Sequence, residues 1–214
     1  MKAILGARVL GVLAVITAYG CAGGEGTETA PVDLSVRVAG AAVSFAPDPC
    51  GNTLSRARLL FRRLRVDGDC PAGATSGCEV EAEVGPFLID LAGSDFDGVF
   101  QQGVLTAQLP LGDYDRARFD LHKTDAGDAG GDASLQQMIA DQLSVSIEGT
   151  TAAAVVFTFE SDLNDEQEKA IALVVGDAVT GVDGITLTVD PATWFGDATA
   201  CLDPMADHDA IEDR

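Results

Sequence analysis

The sequence predicts an all-β protein, a two-layer antiparallel β-sandwich of about ten short strands with one short helix. Three observations carry that reading. Beyond Pro31, apolar and polar residues alternate with period two in one segment after another, as in strands with one buried face. Gly, Pro and Asp punctuate these segments where sharp turns are needed. No stretch of similar sequence returns at a fixed spacing, so neither a propeller nor a solenoid is expected.

In chain order, Leu34, Val36 and Val38 alternate with Ser35 and Arg37, and Val43 and Phe45 form a second short run. Leu54 to Arg65 fits either period. Leu54, Ala57, Leu60, Phe61 and Leu64 share one helical face, with the arginines mostly opposite. As a strand, its apolar phase slips between Phe61 and Leu64, which requires a bulge or burial on both faces. The strand is preferred, because Asp67-Gly68 ends the run and another strand follows. Val80, Ala82 and Val84 alternate with Glu79, Glu81 and Glu83, and Phe87 to Leu91 is short and apolar. Val104 to Leu109 runs into the turn Pro110-Leu111-Gly112-Asp113. Ala117, Phe119 and Leu121 form the next strand. Ser134 to Leu143 has helical spacing at Leu135, Ile139 and Leu143, with Ser134 as its expected cap. Val145 and Ile147, then Val155, Phe157 and Phe159, resume the alternation. Ile171 to Val175 is solidly apolar and is expected to be a central strand. Ile185, Leu187 and Val189 alternate with threonines in the last strand.

The chain has 214 residues, with 13 Lys and Arg against 34 Asp and Glu, for a formal charge of −21. Phosphate contacts need a basic surface, so this charge excludes a general nucleic-acid binder. Apolar residues make up 47%, too many for a wholly disordered chain. A chain of this size can bury roughly 70% of its extended surface in one core.

The first twenty residues read as a targeting segment. Lys2 and Arg8 precede the ten-residue apolar run Val9 to Ala18. Ten helical residues span about 15 Å, half a bilayer core, so the run is too short for a transmembrane anchor. A basic head, a short apolar run and small residues form a secretory signal. The segment Ala18-Tyr19-Gly20-Cys21 resembles the lipobox of bacterial lipoproteins, in which the cysteine is acylated and becomes the mature N-terminus. That resemblance implies lipid attachment at Cys21, covalent attachment to a membrane, and, since Ala22 follows the cysteine, a place at the outer membrane of the cell envelope. Removing residues 1–20 takes away two bases and no acid. The remaining surface is repelled by anionic lipid, which argues for covalent over electrostatic attachment. The expected organisation is a signal peptide at 1–20, a flexible lipid-anchored tether at 21–32, a sandwich at 33–203 and an acidic tail at 204–214.

Four cysteines remain. In an exported chain Cys50, Cys70, Cys78 and Cys201 read as two disulfides, with three possible pairings. Cys70 and Cys78 bracket a turn-rich loop, so their pairing closes a hairpin tip and leaves Cys50 for Cys201. The cysteines lack any Cys-x-x-Cys spacing, which disfavours zinc.

From Gly85 to Lys123 the chain reads GPFLIDL, an acidic Gly-containing stretch, then VLTAQLPLGDYDRARFDLHK. Asp90-Leu91, Leu109-Pro110, Gly112, Tyr114 and Arg118 resemble the pattern of an uncharacterised β-sandwich domain of bacterial lipoproteins, and the later VSIEG and FTFESDL segments look similar. The resemblance implies a fold and no activity. Independently, Pro110 and Gly112 suit a sharp reversal, and Tyr114 is expected to lock that corner through its hydroxyl.

No metal-ligand spacing surrounds His122 or His208, and neither a Gly-x-Ser-x-Gly elbow nor a phosphate-binding glycine loop is present. No catalytic residue, metal or cofactor is expected. The loop Asp125 to Asp132 and the pair Asp95 and Asp97 offer carboxylates among glycines, which suits calcium but reads first as solvated turns. Arg56, Arg58, Arg62, Arg63 and Arg65 are expected to pair across strands with Glu79, Glu81 and Glu83, in preference to forming a patch for an anionic partner. The function expected is a non-enzymatic structural or binding module of the envelope, with a protein or glycan partner. A calcium- or carbohydrate-binding sandwich is the alternative, and a carboxylate-based hydrolase the second.

Overall fold

The computed structural model describes residues 29–38, 48–69, 79–96, 101–124, 132–175, 183–190, 194–197 and 199–212. They form an all-β sandwich of two sheets with short helices, as the alternation predicts. The candidate signal and Cys21, the run at Val43 and Phe45, and Cys70 and Cys78 lie outside these residues.

The larger sheet is built on one long strand, β2 (Thr53–Asp69). Along one edge of β2, β3 (Glu79–Val84) and β4 (Phe87–Ala92) lie end to end, with Val84 opposite Leu64 and Phe87 opposite Phe61. Along the other edge lie β6 (Gly112–Leu121) and β7 (Val145–Thr150). A fourth row follows, in which β8 (Val156–Ser161) pairs with β7 and β9 (Asp165–Val175) with β6. All these pairings are antiparallel. The smaller sheet has β1 (Thr29–Val38) at its centre, antiparallel to β5 (Gln101–Pro110) and parallel to β10 (Asp183–Val189). It covers part of the large sheet, with β5 near β3 and β4, and β10 near β9.

The slip in the apolar phase of β2 is resolved by both predicted devices. Ala57, Leu59 and Phe61 face the core between the sheets, and so do Leu64 and Val66. A bulge between Phe61 and Arg63, opposite Leu121 and Asp120, brings the two series to one side. Leu60 points the other way and is buried as well, against Leu135, Met138 and Ile139 of α1 (Ala133–Ala140). On the opposite edge of β2, Gly85 admits no side chain, since a Cβ there would lie 2.3 Å from the carbonyl oxygen of Arg62.

Four expectations are corrected. The cap of α1 is Asp132, whose Oδ1 accepts from the Leu135 amide at 2.9 Å, and not Ser134, which lies one residue inside the helix. Ile171 to Val175 belongs to the outermost row of the sheet, where Val174 is 62% exposed while Leu173 and Val175 are buried. This run alternates like the others but places apolar residues on both faces. Strand β1 begins at Thr29, inside the stretch assigned to the tether, and Ala30 and Val32 alternate into the core. The acidic tail is partly folded: α2 (His208–Glu212) buries Ile211 although most of its neighbours are acids.

The C-terminal segment lies against β8. Phe195 is fully buried and meets Phe157 and Phe159 edge to face, with ring centroids 5.3 Å and 6.1 Å away. Two-residue strands β11 (Gly196–Asp197) and β12 (Ala200–Cys201) follow. Cys201 is disulfide-bonded to Cys50, with Cα atoms 5.4 Å apart, as the sequence predicts. Asp48 shapes the turn that carries Cys50: its Oδ1 accepts from the amides of Cys50 and Asn52.

Candidate functional site

Among the described residues, a dense set of paired charged side chains lies on the outer face of the large sheet, away from the core. Because Ala57, Leu64 and Val66 face inward, strand geometry sends Arg56, Arg58, Arg63 and Arg65 outward. Arg56 grips Asp90 with two bonds, Nε to Oδ1 at 2.9 Å and Nη2 to Oδ2 at 2.7 Å. That hydrogen bonding raises the guanidinium above its ordinary pKa against the opposing effect of burial. Arg58 is buried and donates to Ser146 Oγ at 2.9 Å, with Glu148 at 3.6 Å. Arg62 and Arg63 both converge on Asp120, which is 3% exposed. Arg63 also reaches Glu83 at 3.4 Å. Arg65 lies between Asp67 at 2.9 Å and Glu81 at 3.0 Å. One row further on, Arg118 donates to Glu168 at 2.7 Å and faces Asp67 at 3.8 Å. The bond to Glu168 raises the Arg118 guanidinium pKa.

The expected pairing with the acidic strand holds for Glu81 and Glu83. Most arginine contacts go instead to Asp67, Asp90, Asp120 and Glu148, acids the sequence reading did not assign as arginine partners. A signal for Asp120 was present. Arg116, Arg118 and Asp120 share the polar parity of β6, and β6 pairs with the arginine-bearing half of β2. The arrangement sets an acid against each of these arginines and leaves no block of arginine unopposed.

Other sequence candidates have local structural partners. Asp132 caps α1, while residues 125–131 of the acidic loop lie outside the described residues. Asp95 accepts from the amide of Ala92 at 2.8 Å, and Asp97 lies outside the described residues. His122 Nδ1 is 2.6 Å from the carbonyl oxygen of Lys123. The Lys123 ammonium, 2.9 Å from Asp162, holds that carboxyl below the usual range. Tyr114 is 2% exposed and donates to the carbonyl oxygen of Pro110 at 2.8 Å, which locks the corner as expected. Burial pushes its phenol pKa up.

A crevice between the two sheets is lined by aliphatic residues, Val32, Leu34, Leu64, Val66 and Ile185 among them, and presents no polar group to a ligand. Near the C-terminus, His208, Glu212 and Ser161 form a separate small cluster against β8. No helix among the described residues is long and apolar enough to cross a membrane. No known protein family, curated protein or solved structure matches the chain significantly.

Proposed function

We propose that the protein is a lipid-anchored lipoprotein of the bacterial cell envelope, held at the outer membrane through Cys21 and acting as a non-enzymatic structural or binding module. The observation that carries this reading is the order of the N-terminal residues. Lys2 and Arg8, the apolar run Val9 to Ala18 and the small residues before Cys21 follow one another as a lipoprotein signal does. The arrangement of the body supports it. Its first strand begins at Thr29, so seven residues separate Cys21 from β1. At most about 3.5 Å per residue, they reach no more than about 25 Å. The anchor therefore leaves the body near the Pro110 turn, which pairs with Thr29.

The outward arginines are matched to acids, and the crevice between the sheets is aliphatic. Both features suit a body that serves as scaffold or contact surface and does not perform chemistry. Three acyl chains on one cysteine exceed what stable attachment requires.

Expression of the full chain and of Cys21→Ser in a bacterium with a lipoprotein export system tests the proposal. The wild-type chain is expected in the membrane fraction, with the mass of an acylated product beginning at residue 21. The variant is expected to be soluble after cell disruption. A wild-type product that is uncleaved or carries no acyl mass would defeat the reading.

A further inference from the structure

β8 ends the large sheet, and one of its edges faces away from β7. Phe157 and Phe159 are buried in the core, so Val156 and Thr158 point to the outer face. The direction of the backbone groups follows from three bonds. Ser161 and Val155 turn their carbonyl oxygens toward β7, where they accept from the amides of Ser144 at 2.9 Å and Thr151 at 2.8 Å. The carbonyl oxygen of Glu160, of opposite parity, turns the other way and meets Nε2 of His208 at 2.7 Å. Alternation then sends the amides and carbonyls of Val156 and Thr158 to the same outer edge. Among the described residues, no strand pairs with that edge.

The sequence leaves this edge unguarded. Gly149 to Phe159 contains no charged residue in a chain of net charge −21. Ala152, Ala153 and Ala154 of the hairpin turn are exposed, and Val155 and Val156 are 47% and 75% exposed. On the opposite side of the sheet, β9 carries Asp165, Glu166, Glu168 and Lys169, all exposed, the kind of charge that keeps a strand edge from pairing. β8 has such a charge only at Glu160, where His208 also occupies the backbone. A run of exposed apolar residues beside open strand groups marks a contact surface.

Charge selects the occupant. Glu148 and Glu160 flank the stretch on the outer face, and Glu148 is 41% exposed. A lipid surface is disfavoured, because the tip offers neither a base nor an exposed aromatic ring and its flanking acids repel anionic headgroups. Position argues the same way. Thr150 pairs with Thr53 at the start of β2, whereas Asp69 at its end pairs with Asp113, beside the Pro110 turn that receives Thr29. β2 covers about 50 Å, so an anchor at Cys21 leaves the tip pointing away from its membrane. A second copy would set Glu160 and the acids of α2 against their own kind. We propose that the β8 edge and its Ala152–Val156 tip dock an extended segment of a partner protein, apolar at its centre and flanked by Lys or Arg, which adds to the large sheet as a further strand. This deepens the reading of the body as a binding module and names the surface that binds.

Selection from a displayed library of random linear heptapeptides against the full chain in detergent tests this, with selected peptides measured by fluorescence anisotropy. Enriched peptides are expected to alternate β-branched residues with polar ones and to carry Lys or Arg, and their binding is expected to weaken as salt rises. Thr158→Pro removes an edge-facing amide that β7 does not use, and is expected to weaken binding about tenfold. Val156→Glu places a charge on the edge at a solvated position and is expected to weaken it similarly. Unchanged hydrogen-exchange protection of β2 reports that each variant is folded. No enriched peptide, or binding undiminished in both folded variants, would overturn the proposal. So would a dimer of the full chain that Thr158→Pro dissociates, or binding of the Cys21→Ser chain to phosphatidylethanolamine–phosphatidylglycerol vesicles that Val156→Glu abolishes. Peptide binding is read in solution and needs no anchor, so its failure is distinct from failure of the lipoprotein reading.

Discussion

Tyr114 donates its hydroxyl to the carbonyl oxygen of Pro110 at 2.8 Å, and the bond spans the turn between β5 and β6 out of reach of water. Replacing Tyr114 by Phe leaves the ring packed and strips the carbonyl of its partner. Tyr114→Phe is expected to lose about 1–2 kcal/mol in urea denaturation.

The same residue sets a limit in alkali. Burial raises the Tyr114 phenol pKa in the folded protein, whereas an unfolded tyrosine ionises near ~10. Above that pH the unfolded chain has released a proton that the folded one keeps, so stability present below it declines as pH rises. Tyr114 is the single tyrosine after residue 20. In a chain beginning at Cys21, phenolate absorbance is expected to appear together with loss of the sheet signal in circular dichroism. A phenolate signal from intact protein would contradict this.

Asp120 receives both Arg62 and Arg63 although it is 3% exposed. Removing the carboxylate leaves two guanidinium groups without their shared partner at the bulge. Asp120→Ala is expected to cost about 2–3 kcal/mol by chemical denaturation, the arginines being partly hydrated. Removing the exposed partner in Glu83→Ala is expected to cost less than about 1 kcal/mol. Reversing both arginines to Glu is expected to lower stability more than either.

Ala154, in the turn between β7 and β8, has a φ of 60° and is exposed. Its Cβ pays for a backbone conformation that glycine adopts freely. Ala154→Gly is expected to raise stability by about 0.5–1 kcal/mol, read as a higher melting temperature.

The disulfide joins residues 151 positions apart. Opening a loop of that size restores much freedom to the unfolded chain. Cys201→Ser is expected to lose about 5 kcal/mol on the chain-entropy scale, measured against wild type without reductant.

Period and phase made most strands legible. In β2 the step from Phe61 to Leu64 even located the bulge, because a change of parity in a strand has few structural remedies. Ile171 to Val175 was misplaced because Ala172 and Val174 are apolar yet exposed, so composition hid the alternation that burial reveals. Asp132 and Ser134 are both competent caps, and only the chain's path chose between them. Ile211 was the one large apolar residue of α2 within an acidic stretch. The network was half visible: the outward parity of the arginines could be read, but Asp90 and Asp120 met them through register set far along the chain. The parallel alignment of β1 with β10 had no local signal at all.

That alignment has a consequence for biogenesis. A chain is synthesised from its N-terminus, so β1 emerges early and must wait for a partner encoded some 150 residues later. The edge of β1 destined for β10 is a bare template in the meantime, open to mispairing with neighbouring chains. The surplus of negative charge offers such intermediates a means of staying apart until the final strand arrives.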